Sequence, residues 1–162
     1  MRIGVVSDTH NNLKNVRKIV DIFNESEVER VIHTGDISQK KTLDLLSNLN
    51  ANLFGVYGNN DQGELHHLEA AADGHGFYFT QPPLKLIWYN QKIVVVHDPL
   101  ELELVDVTEF DVVLHGHTHR ETINFEDDLL TFNPGECAGM MSGQNAVGIL
   151  DLATRKTEII KF

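Results

Sequence analysis

The chain has 162 residues, of which 41% are hydrophobic and 23% charged, and its formal net charge is −11. This length favours a single domain over 1–162 that buries its own core. The acidic balance argues against nucleic acid as a tight partner and against attraction to anionic membranes. Cys137 is the only cysteine, which excludes an internal disulfide. We find neither a signal-like N-terminus nor an apolar run of about 18 residues, so we expect a cytoplasmic protein.

The first part of the chain is predicted to alternate between strands and helices. Short apolar runs predict strands at 3–7, 31–33 and 53–57. Asn11 and Asn12 can cap a first helix, in which Leu13, Val16 and Val20 recur at helical spacing. Leucines at helical spacing predict a second helix near 43–49. The His-rich stretch at 62–74 is predicted to be a third helix or a loop with helical turns.

The second part is predicted to be mostly β-structure. The predicted strands are 84–89, 93–97, 112–115, 129–132, 146–151 and a final edge strand at 157–160. A hairpin is expected at Asn90-Gln91, and one short helix at 101–109. The simplest architecture for this order is two packed sheets with helices on the outer faces.

Five short polar motifs stand where apolar strands end. They are Asp8-Thr9-His10, Gly35-Asp36, Gly58-Asn59-Asn60-Asp61, His97 and Gly116-His117-Thr118-His119. In open α/β sheets the ligand site lies beyond the carboxyl ends of the strands, so the five motifs are expected at one rim. Their carboxylates, amide and imidazoles are sufficient ligands for two metal ions. Two ions that share a carboxylate are typical of enzymes that hydrolyse phosphate esters.

Single residues of these motifs, and polar residues next to them, also have ordinary structural explanations. Asp8 or Asp36 alone would more often be a helix N-cap, and Asn59-Asn60 alone a turn. His33 is expected to be a packed core histidine or a partner of a metal ligand. Arg120 is either a phosphate contact or a solvated charge. The ordinary explanations do not account for all five motifs together, whereas a metal site does.

In this order, the five motifs resemble those of the calcineurin-like metallophosphoesterase superfamily. The chain length and the turn Asn133-Pro134-Gly135-Glu136 resemble its small single-domain prokaryotic phosphodiesterase branch. The resemblance covers nearly the whole chain. It implies a four-layer α/β/β/α sandwich of two packed mixed sheets flanked by helices. It also implies hydrolysis of phosphate diester bonds by a hydroxide that bridges two divalent transition-metal ions.

Carried over position by position, the resemblance assigns a metal-ligand set that Asp36 bridges. One ion would be held by Asp8, His10, Asp36 and His119, and the other by Asp36, Asn59, His97 and His117. The residues expected to take part in catalysis are Asp36, Asn59, Asn60 and Asp61. The mixed oxygen and nitrogen set suits Mn²⁺ first, with Ni²⁺, Co²⁺, Fe or Zn²⁺ as alternatives.

Two positions depart from the family pattern. Many members have a histidine where this chain has Asn60, which cannot donate a full proton, so we predict either a preference for acidic leaving groups or protonation of the leaving group by water. Relatives commonly have glycine where this chain has Asp98. If Asp98 points inward, its charge should disfavour dianionic phosphomonoesters relative to diesters.

Three functions are therefore considered. The first is a phosphodiesterase acting on a small phosphate-ester substrate. The second is a phosphomonoesterase or nucleotide hydrolase that uses the same site. The third is a non-catalytic binding scaffold of the same fold, like the retromer subunit, which the complete ligand set argues against. A homodimer is kept as an open alternative to a monomer.

Overall fold

The computed structural model describes residues 1–162. Its three α-helices are α1 (Leu13–Glu25), α2 (Lys40–Leu46) and α3 (Leu65–His75). Its strands are β1 (Arg2–Val6), β2 (Arg30–His33), β3 (Asn52–Val56), β4 (Tyr78–Thr80), β5 (Leu84–Trp88), β6 (Gln91–Val95), β7 (Val112–Leu114), β8 (Thr122–Glu126), β9 (Leu129–Asn133), β10 (Ala146–Asp151) and β11 (Lys156–Lys161). No helix combines the length and the apolar character needed to cross a membrane.

The strands form two mixed sheets. The first has the order β11-β10-β1-β2-β3-β4, in which β1 to β4 are parallel and β10 and β11 run antiparallel to their neighbours. The second has the order β5-β6-β7-β9-β8, with a parallel centre and an antiparallel strand at each edge. Because β1, β2 and β3 are parallel, their carboxyl ends lie at one edge of the first sheet. The carboxyl ends of the parallel strands β6 and β7 likewise lie at one edge of the second sheet.

Alternation along the strands divides the apolar side chains into layers. Ile3 and Val5 of β1 pack between the two sheets, whereas Val6 belongs to the cluster beneath α1, α2 and α3. The outer face of the second sheet carries a small cluster around Val94 and Val113, covered by the 99–110 segment. The predicted α/β class with two packed mixed sheets and flanking helices is confirmed.

Several local predictions need refinement. The 62–74 stretch is helical, with a 3₁₀ turn at Asn59–Glu64 leading into α3. The single helix predicted at 101–109 is wrong, because the segment forms two 3₁₀ helices, Pro99–Leu104 and Val107–Glu109, with an aspartate capping the start of each. Strands β4 and β8 were not predicted. β8 is an edge strand with four exposed residues, so it lacks the alternating pattern of a half-buried strand.

Candidate metal centre

The five motifs meet at one rim of the molecule. Asp8 N–H donates to the carbonyl of Gly35 at 3.1 Å, which joins the first motif to the second. Asn60 N–H donates to Asp36 Oδ1 at 2.9 Å, which joins the second to the third. His117 N–H donates to Asp8 Oδ2 at 3.1 Å across 109 residues of sequence. The convergence is therefore maintained by direct hydrogen bonds between the motifs.

The backbone of the motifs is held in a conformation that L-residues rarely adopt. Positive φ angles occur at Asp8 (51°), His10 (42°), Asp36 (59°), His117 (64°) and His119 (56°). Each such residue costs of the order of 1–3 kcal/mol, and such residues concentrate at functional sites. The contacts of the surrounding sheets therefore offset the cost of these backbone conformations, which direct the side chains towards the rim.

Two glycines permit the close approach of the strand ends. A Cβ atom at Gly58 would collide with the Asp36 carboxylate, and one at Gly116 would collide with the Ser7 hydroxyl. Any larger residue at either position would push the motifs apart. The glycines in the Gly-Asn and Gly-His motifs are thus required by packing at the site.

A first group of donor atoms surrounds the buried carboxylate of Asp8. The ligand atoms of Asp8, His10, Asp36 and His119 all lie within 4.8 Å of one another. Asp8 Oδ2 accepts hydrogen bonds from Ser7 and from the His117 backbone, whereas Asp8 Oδ1 and His10 Nε2 are buried without a hydrogen-bond partner. Buried polar atoms normally have a hydrogen-bond partner. A metal ion bound between Asp8 Oδ1 and His10 Nε2 would supply the partner that both atoms lack.

A second group adjoins the first. Asn59 Oδ1 lies 3.0 Å from His97 Nε2 and 3.1 Å from His117 Nδ1, and the two nitrogens are 3.3 Å apart. Two ligands that each lie about 2.1 Å from one ion are separated by about 3.0–3.4 Å. The spacing of these three atoms therefore matches the ligand spacing around a single ion.

Hydrogen-bond partners fix which imidazole nitrogen faces the centre. His97 Nδ1 lies 2.8 Å from the carbonyl oxygen of Thr34, to which it donates, so Nε2 faces Asn59. His117 Nε2 lies 3.5 Å from Asp98 Oδ2, so Nδ1 is the nitrogen directed at Asn59. Such outer partners are typical of metal-binding histidines.

The electrostatics of the cluster reflect its burial and its opposite charges. Burial raises the pKa of Asp8, although the Ser7 hydroxyl opposes this effect. Burial also acts to raise the pKa of Asp36, but hydrogen bonding and charge from His97, with donors from Asn60, bring it below its usual range. Burial acts to lower the pKa of His97, but its Asp36 partner raises that pKa to about 9. The positive charge of a protonated His97 would thus offset the negative charge of Asp36. A bound metal ion would take the place of that proton, because histidine binds metals as the neutral imidazole.

Asn60 and Asp61 both hold Asp36, but from different sides. Asn60 is exposed, and its Nδ2 donates to Asp36 Oδ2 at 2.7 Å. Asp61 is fully buried, and its oxygens accept the backbone N–H groups of Asp36, Gly58 and Ser38 at 2.7–3.0 Å. Asp61 therefore lies behind Asp36 and faces backbone, whereas Asn60 lies on the open side.

The remaining sequence predictions fall outside the cluster. His33 is fully buried, with Nε2 3.0 Å from the Thr9 hydroxyl and Nδ1 accepting from Gly35 N–H, and burial lowers its pKa to about 3. His33 is therefore the packed core histidine of the two alternatives, because it hydrogen-bonds to Thr9 and Gly35 and to none of the proposed metal ligands, and it braces the two loops that carry Asp8 and Asp36. Arg120 is exposed beside His119. Cys137 is buried in the apolar cluster beneath the helices, and burial raises the pKa of its thiol.

One supporting residue was not identified from the sequence. Glu101 Oε2 accepts the backbone N–H groups of His97 and Asp98, at 2.9 and 3.1 Å. It thereby fixes the loop that presents both residues. The signal was present, because an aspartate followed by glutamate three residues later is the pattern of a capping box.

Two packed mixed sheets with a carboxylate and imidazole cluster at their common rim define an α/β protein with a candidate metal centre. The family model of the calcineurin-like phosphoesterase superfamily domain matches residues 1–155. The chain therefore belongs to the calcineurin-like phosphoesterase superfamily, and it is a metal-dependent phosphoesterase.

Named relatives agree with this family. The chain is 38% identical over 162 residues to phosphodiesterase MJ0936 of Methanocaldococcus jannaschii, covering 98% of this chain and 96% of that protein. It is 23% identical over 171 residues to phosphodiesterase YfcE of Escherichia coli, covering 93% and 88%. A solved archaeal phosphodiesterase superimposes with a TM-score of 0.91 at 35% identity, covering all of both chains. Vps29 of Chaetomium thermophilum shares the fold alone, with a TM-score of 0.71 at 14% identity, covering 99% and 95%.

Proposed function

We propose that the protein is a phosphodiesterase that uses two divalent metal ions, held by two donor groups that share Asp36. One observation carries this proposal. Asp36 Oδ2 lies 3.4 Å from His10 Nε2 in the first group, and Asp36 Oδ1 lies 3.4 Å from His97 Nε2 in the second. The carboxylate thus presents one oxygen to each group.

The donor set fits a dinuclear centre. The first ion would be held by Asp8, His10, Asp36 and His119, and the second by Asp36, Asn59, His97 and His117. Mixed carboxylate, amide and imidazole donors suit Mn²⁺, and also Ni²⁺, Co²⁺, Fe or Zn²⁺. When bound, two such ions lower the pKa of a water molecule and offset the negative charge of the phosphoryl oxygens.

The other residues of the cluster orient these ligands. Asp61 acts from behind, because its buried carboxylate fixes the backbone of Asp36, so we assign it a positioning role in place of a catalytic one. Asn60 contacts the Asp36 carboxylate from the open side, where it can also donate a hydrogen bond to substrate. Because an amide cannot supply a full proton, cleavage should favour leaving groups of low pKa.

A diester is the proposed substrate class for two reasons. Asp98 places a negative charge against the second donor group, which disfavours a dianionic monoester more than a monoanionic diester. In addition, MJ0936 and YfcE are both named phosphodiesterases. A small cytoplasmic phosphate ester is the substrate we propose.

Metal content and hydrolysis test the proposal together. Wild-type protein loaded with Mn²⁺ should retain two ions per chain and hydrolyse bis(p-nitrophenyl) phosphate faster than p-nitrophenyl phosphate. The His10→Ala and His97→Ala variants should each retain one ion and lose most of the activity. His66→Ala is the matched control, since His66 is exposed on α3.

The contrary results are equally clear. One ion per wild-type chain would refute the dinuclear proposal. A faster rate on the monoester would favour the phosphomonoesterase alternative. No hydrolysis with Mn²⁺, Ni²⁺, Co²⁺ or Zn²⁺ would favour the binding scaffold.

A further inference from the structure

A cavity of about 230 Å³ opens beside the first donor group. It lies between the segment that enters β8, the turn after β9 and the end of β11. Its polar lining consists of His119, Arg120, Glu121, Gly135, Gln144 and Lys161. Because His119 belongs to the proposed metal centre, this cavity and that centre share a wall.

The charges in this cavity do not cancel. Lys161 Nζ lies 3.6 Å from Glu121 Oε2, so these two charges offset one another. The side chain of Arg120 has neither an ion pair nor a hydrogen bond, although its backbone N–H and carbonyl are bonded to Thr118 and Thr122. Arg120 therefore contributes an uncompensated positive charge to a chain whose net charge is −11.

Arg120 directly follows a residue of the first donor group. The preceding residue, His119, has its Nε2 3.3 Å from the buried Asp8 Oδ1. The Arg120 carbonyl accepts from the Thr122 hydroxyl at the start of β8. The guanidinium thus starts one residue beyond the first donor group, and its planar fork of donors matches a carboxylate or a phosphate.

We infer that this cavity is a subsite for a second anionic group, a carboxylate or a phosphate, on the alcohol portion of the substrate. The inference rests on the proposed phosphodiesterase function and narrows its substrate class. The scissile phosphate would occupy the metal centre, and the second anion would contact Arg120. Diesters of two neutral alcohols would then lack one of the contacts that the site offers.

A series of p-nitrophenyl phosphodiesters with a common leaving group tests the subsite. The second alcohol is propanol, 3-hydroxypropionate, 3-hydroxypropyl phosphate or choline. We expect kcat/KM for an anionic diester to exceed that of the propyl diester by about tenfold, as for a charge-assisted hydrogen bond, and choline to fall below propyl. The anionic diester with the larger ratio identifies which of the two groups is preferred.

Variants assign the preference to the cavity. Arg120→Ala should bring the ratio of anionic to propyl diester close to one, and Arg120→Glu should invert it. Lys156→Ala is the matched control, since Lys156 is an exposed cation at the opposite end of β11, and it should keep the wild-type ratio. An equal ratio in wild type and Arg120→Ala would overturn the inference.

A binding measurement separates this inference from the proposed function. Inorganic phosphate is titrated into metal-free, ¹⁵N-labelled protein, and the amide signals of Gly135 and Gln144 are followed. Saturable shifts that disappear in Arg120→Ala support the subsite even if no diester is hydrolysed. Hydrolysis of the propyl diester without any phosphate-dependent shift would refute the subsite and leave the phosphodiesterase function intact.

Discussion

Replacing Asp98 by asparagine should weaken metal binding at the second donor group. Asp98 Oδ1 accepts the Leu100 N–H at 2.9 Å, which caps the 3₁₀ helix and fixes the carboxylate. Its other oxygen lies 3.5 Å from His117 Nε2. Asparagine can keep the cap, but its NH₂ group would then face the His117 Nε2–H. His117 would lose the partner that leaves Nδ1 free for the metal ion.

The size of this effect follows from the exposure of the pair. Loss of such a partner typically reduces metal affinity by about 10–100-fold. The side chains of Asp98 and His117 are 29% and 40% exposed, so solvent screens their interaction. We therefore expect the lower end, about tenfold or roughly 1.4 kcal/mol.

Calorimetric titration with Mn²⁺ measures the affinities of the two ions separately. In Asp98→Asn, one affinity should fall about tenfold and the other should stay at its wild-type value. Asp106→Asn is the matched control, because Asp106 caps the next 3₁₀ helix through Thr108 N–H in the same way. This control should change neither affinity.

Two results would refute the role assigned to Asp98. One is an unchanged pair of affinities in Asp98→Asn, and the other is an equal loss in Asp106→Asn. The Asp98→Gly variant tests the separate prediction that the charge disfavours monoesters. An unchanged ratio of monoester to diester rates in that variant would exclude charge selection.

Three further predictions concern the metal, the acid position and the core. Removal of both metal ions by a chelator should lower the melting temperature by about 10–20 °C from its value at a metal concentration of about 100 Kd for each ion, and scanning calorimetry that shows no shift would contradict a native-state site. Asn60→His should make the dependence of kcat/KM on leaving-group pKa shallower, because imidazolium can donate a proton; an unchanged slope would show that residue 60 does not reach the leaving oxygen. Burial lowers the pKa of His33 from 6.5 to about 3. The free energy of unfolding should therefore be unaffected by His33 titration above pH 6.5, and should decrease by up to about 1.4 kcal/mol per pH unit as the pH falls from 6.5 towards 3. Urea unfolding of wild type and His33→Asn across this range should show the weaker acid dependence in the variant, and parallel curves would refute the assignment.

The order of the main elements and the position of the rim could be predicted from the amino-acid pattern. Buried parallel strands are nearly continuous apolar runs, so β1, β2 and β3 could be recognised from the order of apolar residues in the sequence. The polar motifs follow these runs directly, and the geometry of parallel sheets places their ends together. Asp8 and Asp36 could therefore be placed at one rim from the sequence.

The directions of the side chains next to the motifs could not be predicted from the sequence, because they depend on contacts in the folded chain. Asp98 and Arg120 each follow a histidine of the cluster, yet one contacts His117 and the other lines a separate cavity. Asp61 belongs to the same motif as Asn59 but is buried behind Asp36. Adjacent residues leave the backbone in different directions, and those directions depend on loop torsions and on contacts with remote segments. Spacing along the chain indicates which residues share the rim, whereas their roles depend on contacts that exist only in the folded molecule.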